Sequence, residues 1–130
     1  MKLLTFIASI LILALSYSSS ASNFNLDTGY AAPSSKYDKA LINAVDKAGD
    51  RILGVGIQGI IIYSDDLGKS WKQSTVPTTK TLTDIDCVDA NMCWAVGHDA
   101  YILKTMDRGE TWTIQFTDEL FDAPLLSISM

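Results

Sequence analysis

Short apolar runs separated by polar and glycine-containing turns make up the chain from about residue 41 onward. Residues 52–57 and 60–64 are predicted to be two strands joined by a tight hairpin turn at Gln58-Gly59. The second strand is a continuous apolar run, typical of a strand buried on both faces. Candidate strands at residues 41–46 and 70–74 flank this pair. Four short strands with regular turn signals predict an all-β fold.

The same pattern recurs 41 residues later, which predicts strands at residues 82–87, 93–97, 101–105 and 111–115. The recurring motif is Ser64-x-Asp66-x-Gly68-x-Ser70-Trp71, repeated as Thr105-x-Asp107-x-Gly109-x-Thr111-Trp112. A fixed period of about 40–45 residues is typical of four-stranded β-propeller blades. The sequence therefore predicts one blade at residues 41–81 and another at residues 82–124.

A third blade is predicted to start at residues 125–130, because this segment resembles residues 82–87. One blade cannot bury its own faces, and we expect a ring of roughly six to eight blades. An end inside an apolar strand would leave an open sheet edge. We therefore expect the sequence to be a fragment of a longer propeller, with completion by other chains as the alternative.

The repeated motif is the Asp-box, also called the BNR repeat, and each of its positions suits a hairpin loop. The aspartate can accept hydrogen bonds from backbone N–H groups of its own loop. The glycine allows a positive φ at no steric cost. The Ser and Thr hydroxyls can tie the flanking strands together, and the tryptophan buries a large aromatic face. We therefore predict a structural role for every motif residue in both copies.

Two patterns resemble chemical sites but lack the context that the chemistry needs. Asp66 and Asp107 occupy equivalent places on neighbouring blades, whereas paired catalytic carboxylates approach within about 5–10 Å. Residues 54–59 match G-x-G-x-x-G, but a strand follows where a dinucleotide site needs a helix. Close packing and a hairpin turn explain these glycines better. We predict no catalytic residue and no cofactor.

Cys87 and Cys93 flank a predicted turn between two strands. A disulfide across this hairpin is favoured in an oxidising compartment, provided that the Cα atoms come within about 7 Å. The alternative is a metal site with His98 as third ligand, but a further Cys or His pair is missing, so no metal is predicted. For His98, the only histidine, exposure at a turn is favoured over a ligand-facing role.

Residues 1–21 have the layout of a secretory signal peptide, with Lys2 before an apolar run at residues 3–15 and a cleavage site after Ala21. The apolar run is short for a membrane span, which needs about 20 residues, and an uncleaved anchor is the alternative. Residues 22–40 are predicted to be a linker. We expect an exported protein, in the periplasm or outside the cell.

The charge balance narrows the classes of partner. The chain has 10 Lys and Arg against 15 Asp and Glu, with a net charge of −5. Its only arginines are Arg51 and Arg108. An acidic chain with so few arginines is a poor candidate for binding nucleic acid or anionic lipid.

The second blade resembles repeats of the photosystem II stability/assembly factor family. The residues that carry this resemblance are Cys93-Trp94-Ala95-Val96-Gly97 and then Tyr101-Ile102-Leu103-Lys104-Thr105-x-Asp107-x-Gly109-x-Thr111-Trp112. The resemblance covers residues 41–130. It implies a propeller scaffold without catalytic activity that binds a protein partner, associates peripherally with a membrane complex and assists its assembly.

Sialidases and related glycoside hydrolases share the Asp-box and the propeller. Their chemistry needs an arginine cluster that grips a carboxylate and a Tyr/Glu nucleophile pair. Arg51 and Arg108 cannot build that cluster, although residues beyond this sequence could hold it. The alternative function is therefore an exported sialidase-like hydrolase with a glycan ligand.

Overall fold

The computed structural model describes residues 29–130, which form two four-stranded antiparallel sheets with their strands in chain order. The first sheet contains β1 (Ile42–Ala48), β2 (Arg51–Gly56), β3 (Ile61–Ser64) and β4 (Lys72–Gln73). The second contains β5 (Leu82–Cys87), β6 (Cys93–Gly97), β7 (Ile102–Thr105) and β8 (Thr113–Phe116). This architecture confirms the prediction of an all-β fold built from two propeller blades.

The helical segments of the described residues are all short 3-10 turns, at Tyr37–Lys39, Ile57–Gly59 and His98–Ala100. Within residues 29–130, no helix has the length and apolar character that a membrane crossing requires. The predicted signal peptide and the first part of the predicted linker lie outside the described residues.

Strand boundaries agree with the sequence pattern best in the second sheet, where β5 and β6 begin and end as predicted. The last strand of each sheet starts two residues later than predicted, at Lys72 and at Thr113. The reason is that Ser70 and Thr111 are held in the preceding loop by hydrogen bonds to the motif aspartates. The hairpin between β2 and β3 turns through a 3-10 segment in which Gln58 has a φ of 54°.

The core lies between the two sheets. In the first sheet, Leu53, Val55 and Ile61 are completely buried, and Val55 pairs with Ile61 across β2 and β3. In the second sheet, Ala95 and Leu103 are completely buried and pair across β6 and β7. These residues form one apolar cluster, so each sheet covers a face that the other could not bury alone.

The number of residues that separates equivalent positions of the two blades is not the same in every strand. From β2 onward the offset is 41 residues, because Val55 pairs with Ile61 as Val96 pairs with Ile102. In the first strands, however, position 42 pairs with Gly56 and position 82 with Gly97, an offset of 40. The alignment of residues 41–46 with 82–87 is therefore wrong by one residue. The cause is one extra residue in the second hairpin, because the pair Lys47–Ile52 encloses residues 48–51 whereas the equivalent pair Cys87–Cys93 encloses residues 88–92.

Polar side chains of β1 bind the backbone of β5. The Asn43 side-chain amide donates to the Leu82 carbonyl at 2.7 Å. The Asp46 carboxylate accepts a hydrogen bond from the Cys87 N–H, also at 2.7 Å. These contacts place the first strands of the two blades side by side, with their register set by side chains rather than by a shared ladder.

The equivalent residues of β5 bind the end of the chain in the same way. Thr83 donates to the Leu125 carbonyl, and the Asp86 carboxylate accepts from the Met130 N–H at 2.8 Å. Residues 125–130 are not a strand, yet they run along β5 as β5 runs along β1. The start of a third blade in this segment stays a prediction.

Candidate functional site

The first Asp-box loop joins β3 to β4 and is closed around Asp66. One carboxylate oxygen accepts hydrogen bonds from the Ser64 hydroxyl and the Ser70 N–H, both at 2.8 Å. The other accepts from the Ser70 hydroxyl at 2.5 Å. The Ser64 oxygen in turn accepts from the Gly68 N–H at 2.8 Å. The carboxylate is therefore held by donors of its own loop on both oxygens.

The second Asp-box loop, between β7 and β8, repeats this arrangement around Asp107. Its carboxylate accepts from the Thr105 hydroxyl at 2.8 Å and from the Thr111 N–H and hydroxyl at 2.9 and 2.5 Å. The Gly109 N–H donates to the Thr105 oxygen at 3.0 Å. Both loops thus reach one geometry from the same residue spacing.

The residue before each motif glycine also has a left-handed backbone. Leu67 and Gly68 have φ values of 61° and 85°, and Arg108 and Gly109 have values of 65° and 83°. The sequence predicted a positive φ for the glycines only. A positive φ could not be predicted at a leucine or an arginine, because residues other than Gly, Asn and Asp rarely adopt it.

Hydrogen bonding keeps both motif carboxylates ionised. The Ser70 hydroxyl and N–H, followed by the Ser64 hydroxyl, lower the pKa of Asp66 to about 2. Burial alone would raise the pKa of Asp107, but its hydrogen bonds from Thr111 and Thr105 outweigh burial and lower it. A general acid or base works best with a pKa near the operating pH. The geometry therefore favours fastening of the loop over acid–base chemistry.

A buried arginine connects the two Asp-box loops. Arg51, at the start of β2, is only 4% exposed, and its guanidinium donates to the Asp65 carboxylate of the first loop at 2.7 and 2.8 Å. The same guanidinium donates to the Arg108 carbonyl and the Glu110 carboxylate of the second loop, at 3.1 and 3.2 Å. It also lies 4.1 Å from the centre of the Tyr63 ring.

The contact between Arg51 and Asp65 shifts the pKa values of both residues. Its hydrogen bond to Asp65 raises the pKa of Arg51 against the opposing effect of burial, and the same bond lowers the pKa of Asp65. Sequence reasoning considered Arg51 only for the charge balance and for a sialidase-type arginine cluster, and it did not predict a contact between the blades. One feature of the sequence could have indicated a special role for Arg51: the equivalent position of the second repeat, 41 residues later, holds Met92.

The backbone of the second Asp-box loop also binds the segment that follows β4 in the first blade. The Thr75 N–H donates to the Glu110 carbonyl at 2.9 Å, and the Trp112 N–H donates to the Thr75 carbonyl at 3.1 Å. A Cβ atom added to Gly109 would collide with the side chain of Leu53. This glycine therefore serves close packing between blades as well as a turn.

The two motif tryptophans have different surroundings. Trp112 is 4% exposed, and its indole N–H donates to the Gly109 carbonyl at 3.1 Å. Trp71 is half-buried, and its carbonyl accepts a hydrogen bond from the Tyr37 hydroxyl at 2.8 Å. The first sheet covers Trp112, whereas no second sheet of the described residues covers Trp71. The two tryptophans occupy equivalent positions in the repeat, but packing between the sheets buries only Trp112.

The remaining candidate residues lie at two hairpin turns. Cys87 and Cys93 pair across β5 and β6 and form a disulfide, with their Cα atoms 4.0 Å apart. His98 is exposed in a 3-10 turn, where its backbone N–H donates to the Thr81 carbonyl at 3.0 Å. In residues 29–130, no group of three or more His, Cys, Asp or Glu side chains could hold a metal ion.

The glycines of the G-x-G-x-x-G pattern are explained by close packing. A Cβ atom on Gly56 would collide with the Leu41 carbonyl, and one on Gly59 would collide with the Thr78 carbonyl. Gly59 also has a φ of 71°. The strand β3, not a helix, follows the pattern. A dinucleotide phosphate would therefore find no helix N-terminus at this turn.

Comparison with known proteins shows which family this sequence matches. Residues 66–130, half of the chain, match the family described as photosynthesis system II assembly factor YCF48. The chain is 47% identical over 47 residues to the photosystem II stability/assembly factor HCF136, chloroplastic, of Cyanidioschyzon merolae. It is 38% identical over 42 residues to the photosystem II assembly protein Ycf48 of Thermosynechococcus vestitus.

These matches cover 35% and 32% of this chain, but only 11% and 12% of the two relatives. No solved structure matches the chain. The family match includes the whole second blade, with the motif that carried the resemblance in the sequence. The chain belongs to the photosystem II assembly factor YCF48 family.

Proposed function

We propose that this chain supplies blades of a non-catalytic propeller scaffold that binds a protein complex and assists its assembly. The observation that carries the proposal is the match of residues 66–130 to the assembly-factor family. Both curated relatives are named as photosystem II assembly proteins. The complex that fits this evidence best is photosystem II or a related membrane complex, bound peripherally.

The absence of catalysis is supported by the way the chain uses its charged groups. Asp66 and Asp107 are occupied by hydrogen bonds within their own loops. Arg51 is buried and committed to Asp65, so it cannot grip the carboxylate of a sugar substrate. In the described residues, only Arg108 remains as an exposed arginine.

Export to the periplasm or the cell exterior is the second part of the proposal. The signal-like residues 1–21 support it, and so does the disulfide between Cys87 and Cys93, because such bonds persist in oxidising compartments. Mass spectrometry of the protein from the periplasmic fraction should find an N-terminus at Ser22. An intact Met1 in a cytoplasmic fraction would contradict export.

Native gel electrophoresis tests the assembly role. The tagged full chain, expressed in a photosynthetic bacterium that assembles photosystem II, should co-migrate with photosystem II assembly complexes after the membranes are solubilised. Migration as free protein only, while an equally tagged curated relative co-migrates, would contradict the proposal. Hydrolysis of a fluorogenic sialoside by the purified chain would contradict its non-catalytic part and favour the glycosidase alternative.

A further inference from the structure

The last strand of the first sheet is covered by an extended segment of the same chain. The Ala31 N–H donates to the Val76 carbonyl at 2.9 Å. The Gln73 side chain of β4 accepts from the Ser34 N–H and donates to the Ala32 carbonyl, both at 3.0 Å. This fold therefore already binds one extended segment along the edge of a blade, through hydrogen bonds from the backbone of the segment to the Gln73 side chain and the Val76 carbonyl.

No segment of the described residues covers the equivalent strand β8 in this way. Within residues 29–130, β8 pairs with β7 alone, and all four of its residues are exposed. Ile114 pairs with Leu103 as Gln73 pairs with Ile62. An apolar side chain thus replaces the amide that holds the covering segment on β4. The edge of β8 suits an occupant with apolar side chains better than a copy of residues 31–34.

The chain around β8 is apolar and acidic. Phe116 is 53% exposed, and Leu120 and Phe121 in the following turn are 96% and 49% exposed. Glu119 and Asp122 are exposed in the same turn. We call residues 113–122 the β8 surface. An exposed strand edge with apolar neighbours is a natural template for pairing, and its carboxylates attract a positively charged partner.

A recess beside β8 could receive a side chain of the occupant. Its volume is about 350 Å³, and it is lined by Lys104, Met106, Asp107, Thr111, Thr113 and Gln115. The equivalent recess beside β4 measures only about 150 Å³. In recognition by strand addition, main-chain hydrogen bonds supply affinity and recesses for alternate side chains supply specificity.

We propose that the β8 surface binds an extended segment of a partner protein that carries alternating apolar and Lys or Arg residues, by adding it as a strand to the edge of β8. The inference deepens the proposed function, on which it rests, by naming the surface and the chemistry of the partner. A soluble loop or tail of a membrane-complex subunit fits this description.

Fluorescence anisotropy with the full chain and labelled peptides tests the proposal. The probe is the octapeptide (Val-Lys)4, acetylated and amidated, with (Val-Glu)4 and (Ser-Lys)4 as comparison peptides. Binding of (Val-Lys)4 should be at least tenfold tighter than binding of either comparison peptide, because both charge and apolar contact contribute. A (Val-Lys)4 peptide with every backbone nitrogen methylated should lose binding. Equal binding by the methylated peptide would overturn strand addition.

Matched variants separate the β8 surface from general attraction to an acidic protein. Glu119→Lys should weaken binding of (Val-Lys)4 roughly fivefold, whereas Asp50→Lys, the same charge change at an exposed turn of the first blade, should leave it unchanged. Leu120→Ser should weaken binding, and Leu67→Ser, at another exposed leucine, should not. Equal effects within either pair would overturn the proposal.

The two proposals fail in distinguishable ways. If the chain co-migrates with photosystem II assembly complexes and Glu119→Lys and Leu120→Ser do not reduce that co-migration, the β8 inference is wrong and the assembly role stands. If peptide binding follows the β8 variants but the chain never joins these complexes, the surface stands and the assembly role is wrong.

Discussion

The guanidinium of Arg51 and the carboxylate of Asp65 form a two-point ion pair, with N–O distances of 2.7 and 2.8 Å. The arginine side chain is 5% exposed and the aspartate side chain is 50% exposed, so one partner of the pair is buried and the other is in contact with solvent. Because the buried end also reaches the second Asp-box loop, the pair couples two loops that are far apart in the sequence. It makes the position of the second blade depend on a side chain of the first.

Arg51→Met should destabilise the chain by about 2 kcal/mol. The substitution leaves the Arg108 carbonyl and the Asp65 carboxylate without their charged donor, and hydrogen bonds to charged groups contribute about 1.5–3 kcal/mol. The loss should stay below that of a fully buried pair, because water can reach Asp65. Urea unfolding measures the change. The control Arg108→Met, at an exposed side chain, should cost less than about 0.5 kcal/mol. Equal losses would refute the coupling.

Trp112→Ala should cost more than Trp71→Ala, although the repeat makes these residues equivalent. Removing a buried tryptophan costs about 3–5 kcal/mol, and Trp112 is 4% exposed. Trp71 is only half-buried, so less of its surface leaves water on folding. Thermal unfolding of both variants measures the difference. Equal shifts in Tm would mean that the first sheet does not cover Trp112 in solution.

Gly109→Ala should likewise be more harmful than Gly68→Ala. Both glycines have a φ above 80°, so both substitutions carry a similar backbone strain. A Cβ on Gly109 would collide with Leu53, whereas one on Gly68 would lie 3.5 Å from Trp71, an ordinary contact. Overpacking adds about 1–3 kcal/mol to the cost at Gly109. The free energies of unfolding of the two variants test this, and a larger loss at Gly68 would contradict it.

Stability should fall as the pH drops from about 5 toward about 2. The folded-state pKa of Asp66 is about 2, below its ordinary value of 3.8, and the pKa values of Asp65 and Asp107 are lowered as well. The unfolded state therefore binds protons first, and the stability that these carboxylates contribute is complete above about pH 5 and is lost as the pH falls toward about 2. Urea unfolding between pH 5 and 2 measures the slope. Asp66→Asn should flatten it, and an unchanged slope in that variant would contradict the prediction.

Much of the blade follows from residues that are close in the sequence. The bounds of β5 and β6 and the course of each Asp-box loop depend on alternating side chains, turn glycines and an aspartate that binds its own loop. The same spacing produced the same hydrogen bonds twice, because all the partners lie within a few residues of one another. The family was recognisable for the same reason, since its motif is contained in one blade.

The sequence by itself determined the strands, the repeat and the carboxylate geometry of each loop. Only the tertiary structure decided that Arg51 is buried and that Trp112 is covered while Trp71 is not. The contacts of Arg51 with the second loop span 57 and 59 residues. No local pattern encodes such a contact, because it exists only after one blade has packed against the next.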